Sequence, residues 1–373
     1  MRNTARRVLL VNLSRDWGGG EVWHFNAAHG LRGRGWEPLL LVFPGSALAQ
    51  RAQAAGLETW ALPVRSTSLL HPGHLLTLWR RLRRWRPGTV ILNASHELKV
   101  VGLLARLAGV PRVLLRRGIP VAPRVGAVNR WYLRHVLHGV LVNSRATAQA
   151  LEAAFPDEMR RLPPRVIYNG VDPAAWPAPP PRAPGAHLMA VGRLEREKGM
   201  DLLLDALALL RRSRSRTRLT LLGDGSQRAA LVQQAAALGI ADAVDFAGHV
   251  PDVAARLAEA DVLVLPSRWE GFGYVMVEAM LLERPVVAFD ITATREVVVP
   301  EETGLLVPPE DVTALAEALA ALLAAPDRMI MMGQAGRRRA LAQFTLEAML
   351  DQLEQALVLD GPTGMAPTPQ AGR

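Results

Sequence analysis

The sequence predicts an α/β protein of two doubly wound domains, each a parallel β-sheet covered by helices on both faces. Short apolar runs alternate with amphipathic helical stretches along nearly the whole chain, which is the βαβ pattern of parallel sheets. The length of 373 residues fits two domains at about 150 residues each. A proline-rich stretch, PAAWPAPPPRAPG at 173–185, interrupts the alternation, which then resumes; such segments behave as extended spacers.

In the first domain, residues 1–172, strands are expected at 7–13, 38–43, 89–93, 112–116, 139–143 and 165–169, with helices between them. In the second, residues 186–344, they are expected at 187–192, 218–223, 243–248, 261–266, 285–289 and 304–307. Helices at 311–325 and 328–342 follow, then one at 345–358, and the Gly/Pro/Thr-rich tail 361–373 is expected to be disordered.

Half of the residues are hydrophobic and 21% are charged, enough to bury real cores. With no cysteine, disulfides, thiol nucleophiles, zinc–thiolate sites and iron–sulfur clusters are excluded. No apolar run approaches the roughly 20 residues that span a bilayer. The basic start RNTARR leads into only four apolar residues before Asn12, too few for a secretory signal, so a cytoplasmic protein is expected. The net charge of +10 is unevenly spread: residues 1–183 hold 26 Lys+Arg against 9 Asp+Glu, and the remainder is net acidic. No nucleic-acid recognition motif accompanies the charge, so nucleic acid is not an expected partner.

Three stretches have the composition of ligand sites. After the first strand, Gly18, Gly19 and Gly20 open a helix, where free backbone N–H groups can meet an anion; a simple tight turn is the alternative. In VGRLEREKG, Arg193 and Lys198 stand before a helix N-terminus, an unfavourable place for cations unless an anion lies between them. In PSRWEGFGYVMVEAM, Glu270 in a turn and Glu278 in the following helix can face one pocket beyond the strand ends, where parallel sheets bind ligands. Carboxylates there suit sugar or ribose hydroxyls, and the N–H groups of Gly271, Phe272 and Gly273 suit phosphate oxygens.

These stretches, together with NSRATAQAL, VIYNGVD, LTLLGDG and VDFAGHV, resemble the family-four retaining glycosyltransferases of the GT-B fold over roughly residues 7–358. The resemblance implies an N-terminal acceptor domain and a C-terminal donor domain facing across a cleft, with the last helix crossing back to the first domain. It implies that Arg193 and Lys198 grip the donor diphosphate and that Glu278 holds the ribose. Glu270 with the Gly271–Gly273 backbone would hold the transferred sugar, the Gly18–Gly20 loop would close over the phosphates, and Gly223, Gly225, His249 and Val250 would wall the base pocket. No Asp-x-Asp triplet suggests a bound divalent metal, so neither metal nor other cofactor is expected.

The chain departs from the family pattern in three places. LLRRGIP places Arg116 and Arg117 where the family often has a histidine, either contacting an anion or lying on the surface. Gly88 replaces a usual aspartate, leaving His96 as the nearest polar candidate, and Thr292 and Ala293 replace a glycine pair while Glu296 remains. Asn169, in the NGVD motif, is either an acceptor-side contact or a turn cap.

The segment 73–86 sets Leu75, Leu78, Trp79, Leu82 and Trp85 against Arg80, Arg81, Arg83 and Arg84 on a helix, which can lie on an anionic membrane or cover the sheet. The expected function is transfer of a sugar from a nucleotide diphosphate to a glycolipid or cell-surface polysaccharide precursor. The acceptor would be lipid-linked or polysaccharide and anionic, with peripheral membrane association. The alternative is a catalytically weak partner subunit that binds nucleotide sugar.

Overall fold

The computed structural model describes residues 4–63, 72–121, 123–179, 185–250 and 252–359. The chain divides into two compact units; the boundary falls between Gly170 and Val171, and the chain returns to the first unit at Leu346. Ser144–Ala146 group with the second unit, as do the described residues of 171–185.

The first unit contains strands β1 (Arg7–Asn12), β2 (Glu37–Val42), β3 (Thr59–Ala61), β4 (Thr89–Leu92), β5 (Arg112–Arg117), β6 (Gly139–Val142) and β7 (Arg165–Val166). They pair in parallel in the order β3-β2-β1-β4-β5-β6-β7. Period-two alternation feeds two cores. Leu9, Val11, Leu41, Val90, Leu92, Val113 and Leu115 face one side, and Val8, Leu10, Leu40, Val42, Ile91 and Leu114 face the other. β3 is an addition to the expected strands: three partly exposed edge residues carry too little pattern to read. The strand expected at 165–169 is shorter, Arg165–Val166; the Ile167 N–H still donates to the Val142 carbonyl at 2.8 Å, and Asn169 meets Arg116 through its side chain.

The helix Pro72–Trp85 takes the second of its two sequence-based roles. Leu78 and Leu82 are buried, and Leu75 and Trp85 pack against the same core as Leu9 and Val90. Arg80, Arg81, Arg83 and Arg84 remain exposed. Four of the five residues of its apolar stripe, Leu75, Leu78, Leu82 and Trp85, therefore pack on the protein core.

The last helix, Leu346–Leu359, inserts Met349, Leu350, Leu353, Ala356 and Leu357 into the second of the first unit's cores. Full burial of each large apolar side chain contributes about 1.5–3 kcal/mol before entropy is counted. Arg34 anchors the outer face, donating to Asp351 and Glu354 at 2.7 Å each. At the far end the buried Arg112 guanidinium donates to the Leu357 and Ala356 carbonyls at 2.5 and 2.7 Å, satisfying acceptors that a helix C-terminus leaves open.

The second unit contains β8 (His187–Val191), β9 (Arg218–Leu222), β10 (Val244–Gly248), β11 (Val262–Leu265), β12 (Val286–Phe289) and β13 (Gly304–Val307), parallel in the order β10-β9-β8-β11-β12-β13. Helices Met200–Arg211 and Val312–Leu323 supply Leu203, Leu204, Leu207, Leu315, Leu319 and Leu322 to its core. Among the described residues no helix is long and apolar enough to cross a membrane.

Candidate functional site

In each sheet the strand order reverses at one point, and there the loops leaving two adjacent strands diverge to open a crevice. In the second unit that point lies between β8 and β11. The turn after β8 carries Arg193 and Lys198, and the turn after β11 carries Ser267 and Glu270. The structure joins them: the Lys198 ammonium pairs with Glu270 Oε1, which also accepts the Ser267 hydroxyl at 2.9 Å. Glu270 is nearly buried, its side chain 9% exposed, and Lys198 is 19% exposed.

The backbone around this pair is tightly fitted. Gly199 begins the helix Met200–Arg211 in the left-handed region, φ +66°, and a methyl group there would lie 1.9 Å from the Pro266 carbonyl oxygen. Arg268 locks the same junction, donating to both Asp201 carboxylate oxygens at 2.9 and 2.8 Å and to the Arg196 carbonyl at 2.7 Å. The Asp201 carboxyl is held below the ordinary carboxylate range by these bonds, which outweigh its burial.

Beyond the ends of β8, β9 and β10 opens a cavity of about 270 Å³ lined by Val191, Gly192, Arg193, Leu222, Gly223, Asp224, His249, Val250 and Val253. Four sequence-derived candidates, Arg193, Gly223, His249 and Val250, thus meet at one site. Lys198 adjoins it, since a methyl group at Gly192 would lie 3.6 Å from the lysine Cδ. Arg193 is mostly exposed and its guanidinium reaches Glu197 at 2.7 Å. Gly225 lies outside the lining, packed against the Leu194 carbonyl.

Gly271, Phe272 and Gly273 precede the helix Tyr274–Leu281, whose N-terminus is set by Gly273 at φ +80°. The Phe272 ring is buried beside Phe344, so only its backbone is offered to a ligand. Glu278 keeps partial contact with solvent, yet burial pushes its carboxyl up to about 7. Thr292 and Ala293 open the helix Thr292–Val297; Ala293 is buried and the Thr294 hydroxyl donates to the Phe289 carbonyl at 2.7 Å.

In the first unit the reversal lies between β1 and β4. Gly18 caps the helix Gly19–Gly33 there, and a methyl group at Gly20 would lie 3.5 Å from Asn93 Nδ2 and 3.9 Å from Arg116 Nη1. Arg116 is buried, which decides against a surface position: it donates to Asn169 Oδ1 at 2.9 Å and lies 4.9 Å from the Trp23 ring centroid. Asn169 therefore meets Arg116 through its side chain. Arg117, half-buried, donates to the Val121 carbonyl. His96 is half-buried, and desolvation lowers its pKa.

Two buried groups here are absent from the sequence-derived set. The Glu97 carboxylate accepts the N–H groups of Leu13, Asn93 and Ala94 at 2.9, 2.6 and 3.0 Å, stapling the end of β1 to that of β4; burial nevertheless pushes it up to about 7. One signal marks it in the sequence: Glu97 is the single acidic residue between 59 and 151. His24 is fully buried, with Nδ1 donating to the Gly20 carbonyl at 2.8 Å and Nε2 without a partner among the described residues. Burial, then Arg116, lowers its pKa to about 3, so the ring is neutral.

Residues 17–175 match the family described as Glycosyltransferase Family 4, and residues 181–339 match Glycosyl transferases group 1. The lipopolysaccharide core biosynthesis mannosyltransferase of Rhizobium leguminosarum bv. viciae is 32% identical over 73% of this chain and 78% of its own length. The chain belongs to glycosyltransferase family 4. A glycogen synthase of Mycobacterium tuberculosis is 34% identical over 70% of this chain, which spans 66% of that protein's length, just under two thirds. The GT-B fold is shared with a crystal structure of Anabaena HepE in complex with UDP-glucose, at TM-score 0.82 and 22% identity, covering 94% of this chain and 99% of that one.

Proposed function

We propose that this family member is a retaining glycosyltransferase that moves a sugar from a nucleotide diphosphate to a hydroxyl of a lipid-linked or polysaccharide acceptor. The observation that carries the reading is the meeting of Lys198, Ser267 and Glu270 at the strand-order reversal of the second unit, beside the cavity lined by Arg193, Gly223, His249 and Val250. The hard part of the reaction is expelling a diphosphate from a carbon that develops positive charge. Fixed cations aimed at the leaving group contribute most to lowering such a barrier. Arg193, Lys198 and the N–H groups of Gly271–Gly273 supply that charge in place of a divalent metal. Glu278 would accept the ribose hydroxyls, and Glu270 a hydroxyl of the transferred sugar.

The HepE structure with UDP-glucose supports a nucleotide-sugar donor, and the Rhizobium mannosyltransferase supports an acceptor among surface glycolipids. The exposed arginines of the helix Pro72–Trp85 suit an anionic acceptor or anionic lipid at the cytoplasmic face of a membrane, by charge alone. Incubation of the purified chain with UDP-, GDP- and ADP-sugars in EDTA tests the reading. Donor turnover that is lost in Lys198→Ala is expected. Donor binding without hydrolysis or transfer to any acceptor would leave the noncatalytic subunit as the better description.

A further inference from the structure

The first unit carries a concentration of apolar side chains on its outside. Of the 14 large hydrophobic side chains exposed among the described residues, five lie in one stretch of 13 residues, 119–131: Ile119, Val121, Val125, Val128 and Trp131, between 48 and 60% exposed. Single exposed apolar residues are ordinary, but a group of them marks an interaction site. The stretch leaves β5 and enters the helix Ala127–His135. That helix packs on the core through Leu133, with Tyr132 at the edge. Its outer side shows Val128, Trp131, Arg134 and His135, where a surface helix ordinarily shows polar residues.

Polar bonds fix the segment from both ends. Arg117 donates to the Val121 carbonyl, Asn143 Nδ2 to the Gly118 carbonyl at 3.1 Å and Asn129 Nδ2 to the Arg124 carbonyl at 2.6 Å. An apolar surface ordered in advance spares its partner the entropic cost of ordering it. The charge carried with it has one sign: residues 98–151 hold nine Lys and Arg and no Asp or Glu. Arg130 and Arg134 share the carboxylate of Glu158, whose side chain is fully buried, while the Arg134 side chain stays 48% exposed. Arg124 is exposed beside Val125.

We infer that this face docks on an anionic lipid bilayer, with Val128 and Trp131 entering the boundary between headgroups and acyl chains and Arg124 and Arg134 lying among the lipid phosphates. Aliphatic side chains, a tryptophan and arginines on one surface are the composition of an interfacial anchor. The uniform sign selects the partner. A bilayer rich in acidic lipid is a plane of one charge, whereas a second copy of the chain seated on this face by a two-fold axis would bring like charges together. The inference does not rest on the transfer reaction, and its test uses neither donor nor acceptor.

Cosedimentation of the full chain with vesicles of phosphatidylglycerol and phosphatidylcholine tests it. Binding is expected, with phosphatidylcholine alone much weaker. The double variant Val128→Ser, Trp131→Ser should weaken it at least tenfold, and Arg124→Ala about fivefold. All three positions are exposed, so the urea midpoint and UDP affinity of these variants should match the parent and show that the fold is kept. Brominated phosphatidylglycerol should quench the tryptophan fluorescence of the bound parent more than that of bound Trp131→Phe. Absence of binding, equal binding to phosphatidylcholine alone, or equal quenching in Trp131→Phe would each overturn the inference. Binding untouched in the double variant would overturn it too, leaving membrane attachment to the exposed arginines of the helix Pro72–Trp85. Self-association without lipid that the double variant abolishes would assign the face to a second copy instead.

Discussion

The Lys198 ammonium and the Ser267 hydroxyl converge on one oxygen of Glu270. Without a donor, that ion pair satisfies a nearly buried carboxylate, and a diphosphate entering the crevice has to compete for the lysine. Glu270→Gln keeps a carbonyl for Ser267 but releases Lys198, so UDP is expected to bind at least as tightly as to the parent while sugar transfer is lost. Lys198→Ala leaves Glu270 with one partner, which costs about 1–3 kcal/mol of stability, and slows transfer by about two orders of magnitude or more. Calorimetric titration with UDP and a transfer assay on both variants check this; weaker UDP binding in Glu270→Gln would show that the pair does not compete with the diphosphate.

Glu278 makes donor binding depend on pH. Its carboxyl is pushed up to about 7 by burial, and only the ionised form accepts hydrogen bonds from both ribose hydroxyls. Binding therefore has to remove a proton below pH 7, and affinity falls toward tenfold per pH unit, about 50-fold between pH 7 and 5. In Glu278→Gln the dependence flattens. Nucleotide affinity measured across pH 5–8 decides it, and a flat profile in the parent chain removes Glu278 from the binding site.

Both sheets and their helices are legible in the sequence because buried parallel strands are short apolar runs flanked by turn residues, as at VLLV in β1 and VLVL in β11. Edge strands give less signal: Thr59–Ala61 has no fully buried residue, and β7 keeps only Arg165–Val166 and one further bond, from the Ile167 N–H to the Val142 carbonyl. Residues after β8 and β11 are readable because two cations precede a helix N-terminus and two glutamates flank a Gly-Phe-Gly turn beyond a buried strand, in motifs that resemble the family. The partners are not readable. Nothing in the spacing of 198, 267 and 270 states that they share one oxygen, and Glu97 acquires its role only when β1 and β4 become neighbours across the 76 residues between Asn12 and Thr89.

Glu97 and His24 are expected to pull the stability of the chain in opposite directions with pH. The folded-state pKa of Glu97, about 7, lies above its ordinary 4.5, so its contribution is fully present below pH 4.5 and is lost as pH rises through 7, by about 3 kcal/mol at most. Glu278 has the same sign. The pKa of His24, about 3, lies below its ordinary 6.5, so its contribution is present above pH 6.5 and is lost as pH falls. His24→Asn, which can still donate to the Gly20 carbonyl, should therefore unmask a stability that declines from pH 5 to 7.5. Glu97→Gln should instead steepen the loss on acidification, at a cost of about 1–3 kcal/mol from turning an amide N–H toward backbone donors. Urea unfolding of both variants at several pH values measures the slopes, and parallel profiles would refute the assignment.

Gly199 and Gly223 carry the backbone that shapes the donor-side cavity, and their tolerance to substitution separates close approach from mere backbone freedom. A methyl group would lie 1.9 Å from the Pro266 carbonyl oxygen at Gly199 and 2.0 Å from the Gly192 carbonyl oxygen at Gly223, so neither fits unless a strand end moves. Gly239 has nearly the same left-handed φ as Gly199, +69° against +66°, but nothing lies within 4 Å of an added methyl. Gly239→Ala should cost only the left-handed penalty of about 1 kcal/mol and leave UDP binding intact. Gly199→Ala and Gly223→Ala should each cost more than about 3 kcal/mol, and any folded fraction should fail to bind UDP, because the displaced carbonyls belong to the turns that hold Ser267 and Arg193. Urea midpoints and UDP titrations of the three variants make the comparison; equal costs at Gly199 and Gly239 would mean that dihedral preference alone, and not the approach of the β11 turn, requires glycine at the start of the helix Met200–Arg211.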